Sequence, residues 1–272
     1  MKLSLPLIHC IAMSPPLGGK STFFATWVEW FAKHTKKPTL ILGFDKQTKF
    51  DPYRVLGNKY DLSVGEVGQP ITRILRGDTM LCQIEHFVDD DPRKPHAYAQ
   101  YMDRWNSIKD DVNLHGKYGL VLLDSTSFLE TASTWHNQYL KYPHPDNERK
   151  YGWNSFVTRD LREVLHGQLT SLTCHVGVAV HIHISPDEGI EGMAKNPHVP
   201  GQLRPHLAGA YNAVVRIYEE GGQRVLQTSM RDGYACGTSA MIDAPDPCAP
   251  TFESFISNII RKQRKEQTSA SE

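Results

Sequence analysis

The sequence predicts an α/β fold, a mostly parallel sheet flanked by helices with an antiparallel hairpin at one edge. Three observations predict it. Short apolar runs at 5–13, 38–44, 119–123 and 176–182 are bounded by turn formers and alternate with amphipathic stretches, as buried strands alternate with crossover helices. A glycine-rich turn, Ser14-Pro15-Pro16-Leu17-Gly18-Gly19-Lys20-Ser21-Thr22, joins the first apolar run to the first amphipathic one. Late in the chain, Ala213 to Tyr218 and Arg224 to Thr228 flank Gly221-Gly222, which is a hairpin signal.

Each element has its own warrant. After the first strand, Phe23/Phe24, Trp27/Val28 and Phe31 recur at three- and four-residue spacing, so that helix buries one face. The second strand ends in Phe44-Asp45; Asp51-Pro52 then opens a short helix to about Leu56, stopped by Gly57. Residues 60–95 are mixed, and 78–88 fits strand or helix equally. Ala97 to Leu114 reads as a helix with Tyr98, Tyr101, Trp105 and Ile108 on one side. The third strand ends at Asp124-Ser125, and a helix over Phe128 to Leu140 follows. After a polar loop, Asn154 to Leu172 is an amphipathic helix, and the fourth strand ends at His181 and Ile182. Ser185 to His206 is long, charged and rich in Pro and Gly, as functional or mobile loops are. A last helix is expected over about Phe252 to Lys265, with a frayed tail beyond. The expected organisation is one domain over 1–245, then a C-terminal helix and disordered tail over 246–272.

Composition bounds the function classes. A formal net charge of zero means that any nucleic-acid contact must come from a local basic patch. Five dispersed cysteines without a C-x-x-C suggest reduced thiols and a cytoplasmic protein. The opening MKLSLPLIHCIAM resembles a signal peptide, but it is needed as the strand feeding the glycine turn. No run reaches the length of a membrane span, so no membrane partner is expected.

The glycine turn carries the chemistry. Strand, Gly-Lys-Ser and helix form the context of a phosphate-binding loop, in which backbone N–H groups and the helix N-terminus surround phosphate oxygens. The expected nucleotide-binding residues are Ser14, Pro15, Pro16, Leu17, Gly18, Gly19, Lys20, Ser21 and Thr22, with ATP and Mg²⁺ as cofactors. Lys20 supplies an ammonium for the outer phosphates, and the Ser21 hydroxyl is placed to ligate Mg²⁺. The motif departs from its full pattern at Ser14, where Gly is usual, and Pro15 and Pro16 remove two N–H donors.

Asp124 ends a buried strand at the sheet's carboxyl edge, where such a carboxylate holds the nucleotide's Mg²⁺; the competing reading is a cap for the next helix. Asp45, at the end of the second strand, is the candidate to orient water. His181 is the candidate sensor of the terminal phosphate; His181-x-His183 also fits a transition-metal site, although no further ligands accompany it at a recognisable spacing. Lys195, Arg204, Arg216, Arg224 and Arg231 are the basic residues beyond the sheet, and Arg231 is the first candidate for a finger reaching a neighbouring subunit's phosphate.

Together these residues resemble a RecA-type P-loop ATPase core over about residues 5–245. Phe44-Asp45-Lys46-Gln47, then Phe50-Asp51-Pro52-Tyr53 and Leu56-Gly57, resembles the segment after the second core strand of bacterial RecA. Leu122-Leu123-Asp124-Ser125 resembles that family's magnesium site. Tyr151-Gly152-Trp153, the long helix, the fourth strand and Pro200-Gly201-Gln202-Leu203 are similar to a phage-encoded RecA-like group implicated in single-strand annealing and recombination. The resemblance implies an ATPase that acts on single-stranded DNA as a homo-oligomeric ring or filament. It also places the family's catalytic Glu on Gln47, which cannot act as a base, so either Asp45 substitutes or hydrolysis is slow. Two other readings stay open: a nucleotide-dependent switch or scaffold, and a DNA motor or partition ATPase.

Overall fold

The computed structural model describes residues 5–45, 53, 56, 62–64, 71–141, 143, 153–183, 196–197, 199, 203, 207 and 209–271. Strands buried on both faces need apolar side chains pointing both ways, and β1 (His9–Ser14) is buried throughout. Cys10 and Ala12 face one apolar layer, whereas Ile11 and Met13 face the other. β2 (Thr39–Gly43) is built the same way. So is β6 (Leu120–Asp124). These strands, with β5 (Thr79–His86), β7 (His175–His183) and β9 (Ala213–Glu220), form a run of parallel neighbours in the order β9-β1-β7-β6-β2-β5. Antiparallel strands close both ends: β10 (Gln223–Gln227) pairs with β9, while β4 (Ile71–Arg76) and β3 (Leu62–Val64) extend beyond β5. The short β8 (Asn196–Pro197) and β11 (Gly237–Thr238) pair with β7 and β9. The mixed α/β class, the parallel strands and the edge hairpin agree with the sequence expectation.

Helix α1 (Lys20–His34) covers one face. Its predicted stripe of Phe23, Phe24, Trp27, Val28 and Phe31 is buried, and Gly177 on β7 makes room for it. A Cβ at Gly177 would stand 2.5 Å from Phe24 Cε1 and 2.6 Å from Leu122 Cδ2. The C-terminal segment shares this layer: α5 (Phe252–Phe255) places the Phe252 ring 4.3 Å from that of Trp27. α6 (Ser257–Ser271) follows as a helix past the expected end near Lys265, into the stretch expected to fray.

The other face is covered by α2 (Ala97–Asn113), α3 (Thr126–Trp135) and α4 (Trp153–Arg162). A π-helical turn continues α3 over His136–Lys141, and π and 3₁₀ turns carry α4 on to Ser171. The undecided stretch around 78–88 contains β5, the second strand of the β4–β5 hairpin, which turns at Gly77 with φ of 54°. β5 buries Gln83 and Glu85, and α2 compensates: Arg104 Nε and Nη2 each donate to a Glu85 carboxylate oxygen at 3.1 Å.

Candidate functional site

Parallel strands bring their C-terminal ends to one edge, where open α/β sheets bind ligands. On this edge Ser14 of β1 pairs with His181 of β7, and Gly43 of β2 pairs with Asp124 of β6. Asp45 follows β2 by two residues and is buried. The sheet order thus sets the candidate phosphate loop beside the strand of His181, with Asp124 one strand further and Asp45 at the end of the next.

The loop folds around its own lysine. Lys20 Nζ donates to Ser14 O at 3.1 Å, Ser14 Oγ at 3.0 Å and Pro15 O at 3.0 Å. Ser14 therefore uses its hydroxyl where the full motif has none, accepting from Lys20 and donating to Pro15 O at 2.9 Å. Gly18 N donates to the same carbonyl at 3.1 Å, and a Cβ at Gly18 would stand 2.4 Å from Ser14 Oγ. Gly19, the N-cap of α1, holds φ of 96°, a left-handed conformation that glycine adopts without strain. Leu17 has a positive φ and is almost fully exposed at the loop's tip. No acidic residue occupies the first turn of α1, so its N-terminal N–H groups remain suited to an anion.

Asp124 is buried and gathers donors. Tyr53 Oη donates to Asp124 Oδ2 at 3.1 Å, and the Ser21 hydroxyl also hydrogen-bonds this carboxylate. Burial raises the Asp124 pKa, opposed by the Ser21 and Tyr53 hydrogen bonds and by Lys20, while Asp45 raises it further. Burial also lowers the Lys20 pKa to about 8, against the pull of Asp124. The capping alternative for Asp124 is not what the chain uses: Ser125 is the N-cap of α3, and its side chain makes no capping hydrogen bond.

The remaining candidates lie as follows. His181 is half-buried beside Ser14. Arg231 lies after the edge hairpin, where its guanidinium donates to Tyr218 Oη and stands 3.7 Å from an Asp232 carboxylate oxygen. Arg216 is held over the Tyr234 ring at 3.5 Å and over Tyr218 at 4.6 Å. Gln47, Lys195 and Arg204 lie outside the described residues, as does most of the loop over 185–206. Among the described residues, no group of three or more His, Cys, Asp or Glu side chains is arranged to hold a metal ion.

Sequence reasoning missed two contributors. Tyr53 stands in the sequence as the last residue of Phe50-Asp51-Pro52-Tyr53, and nothing local signals its bond to a carboxylate 71 positions away. Arg224, one of several basic residues, reaches the loop itself: its Nη2 donates to Leu17 O at 3.3 Å. A period-2 reading of β10 signals it, because Arg224 and the buried Leu226 share a face.

A magnesium nucleotide fits these residues. Lys20 is buried with its ammonium turned onto three oxygens of its own loop, Gly18 leaves no room for a side chain, and a hydroxyl and a carboxylate already meet at Ser21 and Asp124. No helix among the described residues is long and apolar enough to cross a membrane.

No protein-family model matches this chain, and no curated protein matches it. Among solved structures, it is similar to a KaiC-like protein from the hyperthermophilic archaeon Pyrococcus horikoshii, at 13% identity and a TM-score of 0.42, over 84% of this chain and 82% of the other.

Proposed function

We propose that this chain is a RecA-like P-loop ATPase that binds Mg-ATP and acts on single-stranded DNA in recombination or annealing, working as a homo-oligomeric ring or filament. The observation that carries the nucleotide reading is the buried Lys20 ammonium, enclosed by the turn that follows β1 and within the electrostatic reach of Asp124. In this reading Lys20 and the amides of Gly18 to Thr22 hold phosphates, and Ser21 and Asp124 hold Mg²⁺, which offsets charge on the phosphate oxygens. To meet a phosphate, the Lys20 ammonium exchanges the oxygens of Ser14 and Pro15 for the ligand's, and the added negative charge raises its pKa back toward the ordinary value. Asp45 positions water, His181 senses the terminal phosphate, and Arg231 reaches a neighbouring subunit. The resemblance to the phage-encoded group supports the single-stranded DNA role and a cytoplasmic setting; the segments that would meet DNA include 185–204.

A second reading, a nucleotide-dependent switch or scaffold with little turnover, is favoured by Gln47 at the family's catalytic Glu position. ATP turnover with and without single-stranded DNA separates the two. Hydrolysis that rises with DNA and vanishes in Lys20→Ala supports the recombination ATPase. Tight binding with negligible turnover, and faster turnover in Gln47→Glu, supports the switch.

A further inference from the structure

We infer that Arg224, contributed by the edge hairpin of the same chain, is a phosphate-binding residue of the nucleotide site; this rests on the nucleotide reading above. Register places it there. β10 pairs antiparallel with β9, with Leu226 opposite Ile217 and Arg224 opposite Glu219. Leu226 and Ile217 are fully buried in the layer under α1. Side chains two apart on a strand share a face, so Arg224 emerges on the α1 side, one step past the core.

Its guanidinium lies across the loop. A Cβ at Gly19 would stand 3.1 Å from Arg224 Nη1 and 3.2 Å from its Cδ, so the absence of a side chain at Gly19 lets the arginine lie against the backbone that opens α1. A guanidinium carries five N–H donors in a fixed fork. The bond from Nη2 to Leu17 O uses one, and among the described residues Arg224 forms no ion pair. The side chain is exposed, so its charge has kept its water shell until an anion arrives. A permanent cation is therefore tethered to the turn that opens α1, whose N-terminal N–H groups suit an anion, with most of its donors uncommitted. Arginine suits this position because its planar fork pairs with phosphate oxygens in two directions at once. Because β10 pairs with β9 and β9 pairs with β1, the contact is made within the chain and needs no neighbouring subunit.

The test is calorimetric titration of Mg-ATP into wild type, Lys20→Ala, Arg224→Gln and Arg224→Lys, with nucleotide-free unfolding measured for each. Gln retains an N–H donor for Leu17 O but lacks charge; Lys retains charge but lacks the fork. The expected result is roughly tenfold weaker binding in Arg224→Gln, the scale of one lost charge-assisted hydrogen bond, with Arg224→Lys recovering part of it and nucleotide-free stability unchanged. Wild-type affinity in Arg224→Gln overturns the inference, as does full rescue by Gln with loss in Lys, which would make Arg224 a tether for Leu17. Absence of saturable binding by wild type, or unaltered binding in Lys20→Ala, overturns the nucleotide reading itself and this inference with it.

Discussion

Lys20 stands in the folded chain at a cost that should be measurable without any ligand. Its side chain is buried, and its pKa falls from 10.5 to about 8, with burial the main cause and Asp124 opposing. Between those values the unfolded chain binds the proton and the folded chain does not, so stability rises with pH across that window. Below pH 8 both states are protonated and the full burden is present; above pH 10.5 it is relieved. The difference corresponds to roughly 3 kcal/mol at 1.36 kcal/mol per unit. The perturbation is Lys20→Met, which keeps an unbranched side chain one atom shorter and removes its titration. Urea unfolding of the nucleotide-free protein at pH 7 and pH 10 should show wild type gaining roughly 2–3 kcal/mol on Lys20→Met as pH rises. Other lysines and tyrosines titrate in both proteins and cancel in that difference. Identical pH dependence of the two would refute a buried, depressed Lys20.

Three further outcomes follow from the packing. Gly18→Ala puts a Cβ 2.4 Å from Ser14 Oγ and 2.9 Å from Pro15 O, so the loop must open; nucleotide affinity measured by titration should drop about tenfold or more, with the unfolding midpoint little changed. Gly177→Ala forces Phe24 and Leu122 apart inside the sheet–helix interface and should cost about 1–3 kcal/mol in urea unfolding, without altering the nucleotide loop directly. Phe252→Ala empties a fully buried ring site against Trp27, Trp30 and Phe31, and the same assay should register a loss of about 3–5 kcal/mol, whereas a cost near zero would show that the segment after 245 does not share the core.

What the sequence made legible was whatever rests on local periodicity. The both-sides-apolar runs of β1, β2, β6 and β7, the buried stripe of α1 and the Gly221-Gly222 hairpin all express themselves within a few residues. The glycine turn and Asp124 stood out as a candidate site because each ends a buried strand. The β4–β5 hairpin was not legible, because Gln83 and Glu85 break the apolar pattern; Gln83 is satisfied by Arg73 and Glu85, and Glu85 by Arg104, nineteen positions away. The partnership of Ser14 with Lys20 explains a departure that looked only like a weakened motif. Tyr53 on Asp124 depends on a tertiary contact that no local pattern encodes, whereas for Arg224 the alternation along β10 marks the face but not the Leu17 carbonyl that it meets. The packing of Phe252 on α1 likewise joins residues more than two hundred positions apart.

The most direct test of the central claim is a crystal structure with Mg²⁺ and a non-hydrolysable ATP analogue. The account predicts phosphates on the Gly18 to Thr22 amides, Lys20 Nζ turned away from Ser14 and Pro15 onto them, and the cation beside Ser21 and Asp124. An analogue bound elsewhere, or Lys20 still closed on its three loop oxygens at saturating analogue, would contradict it.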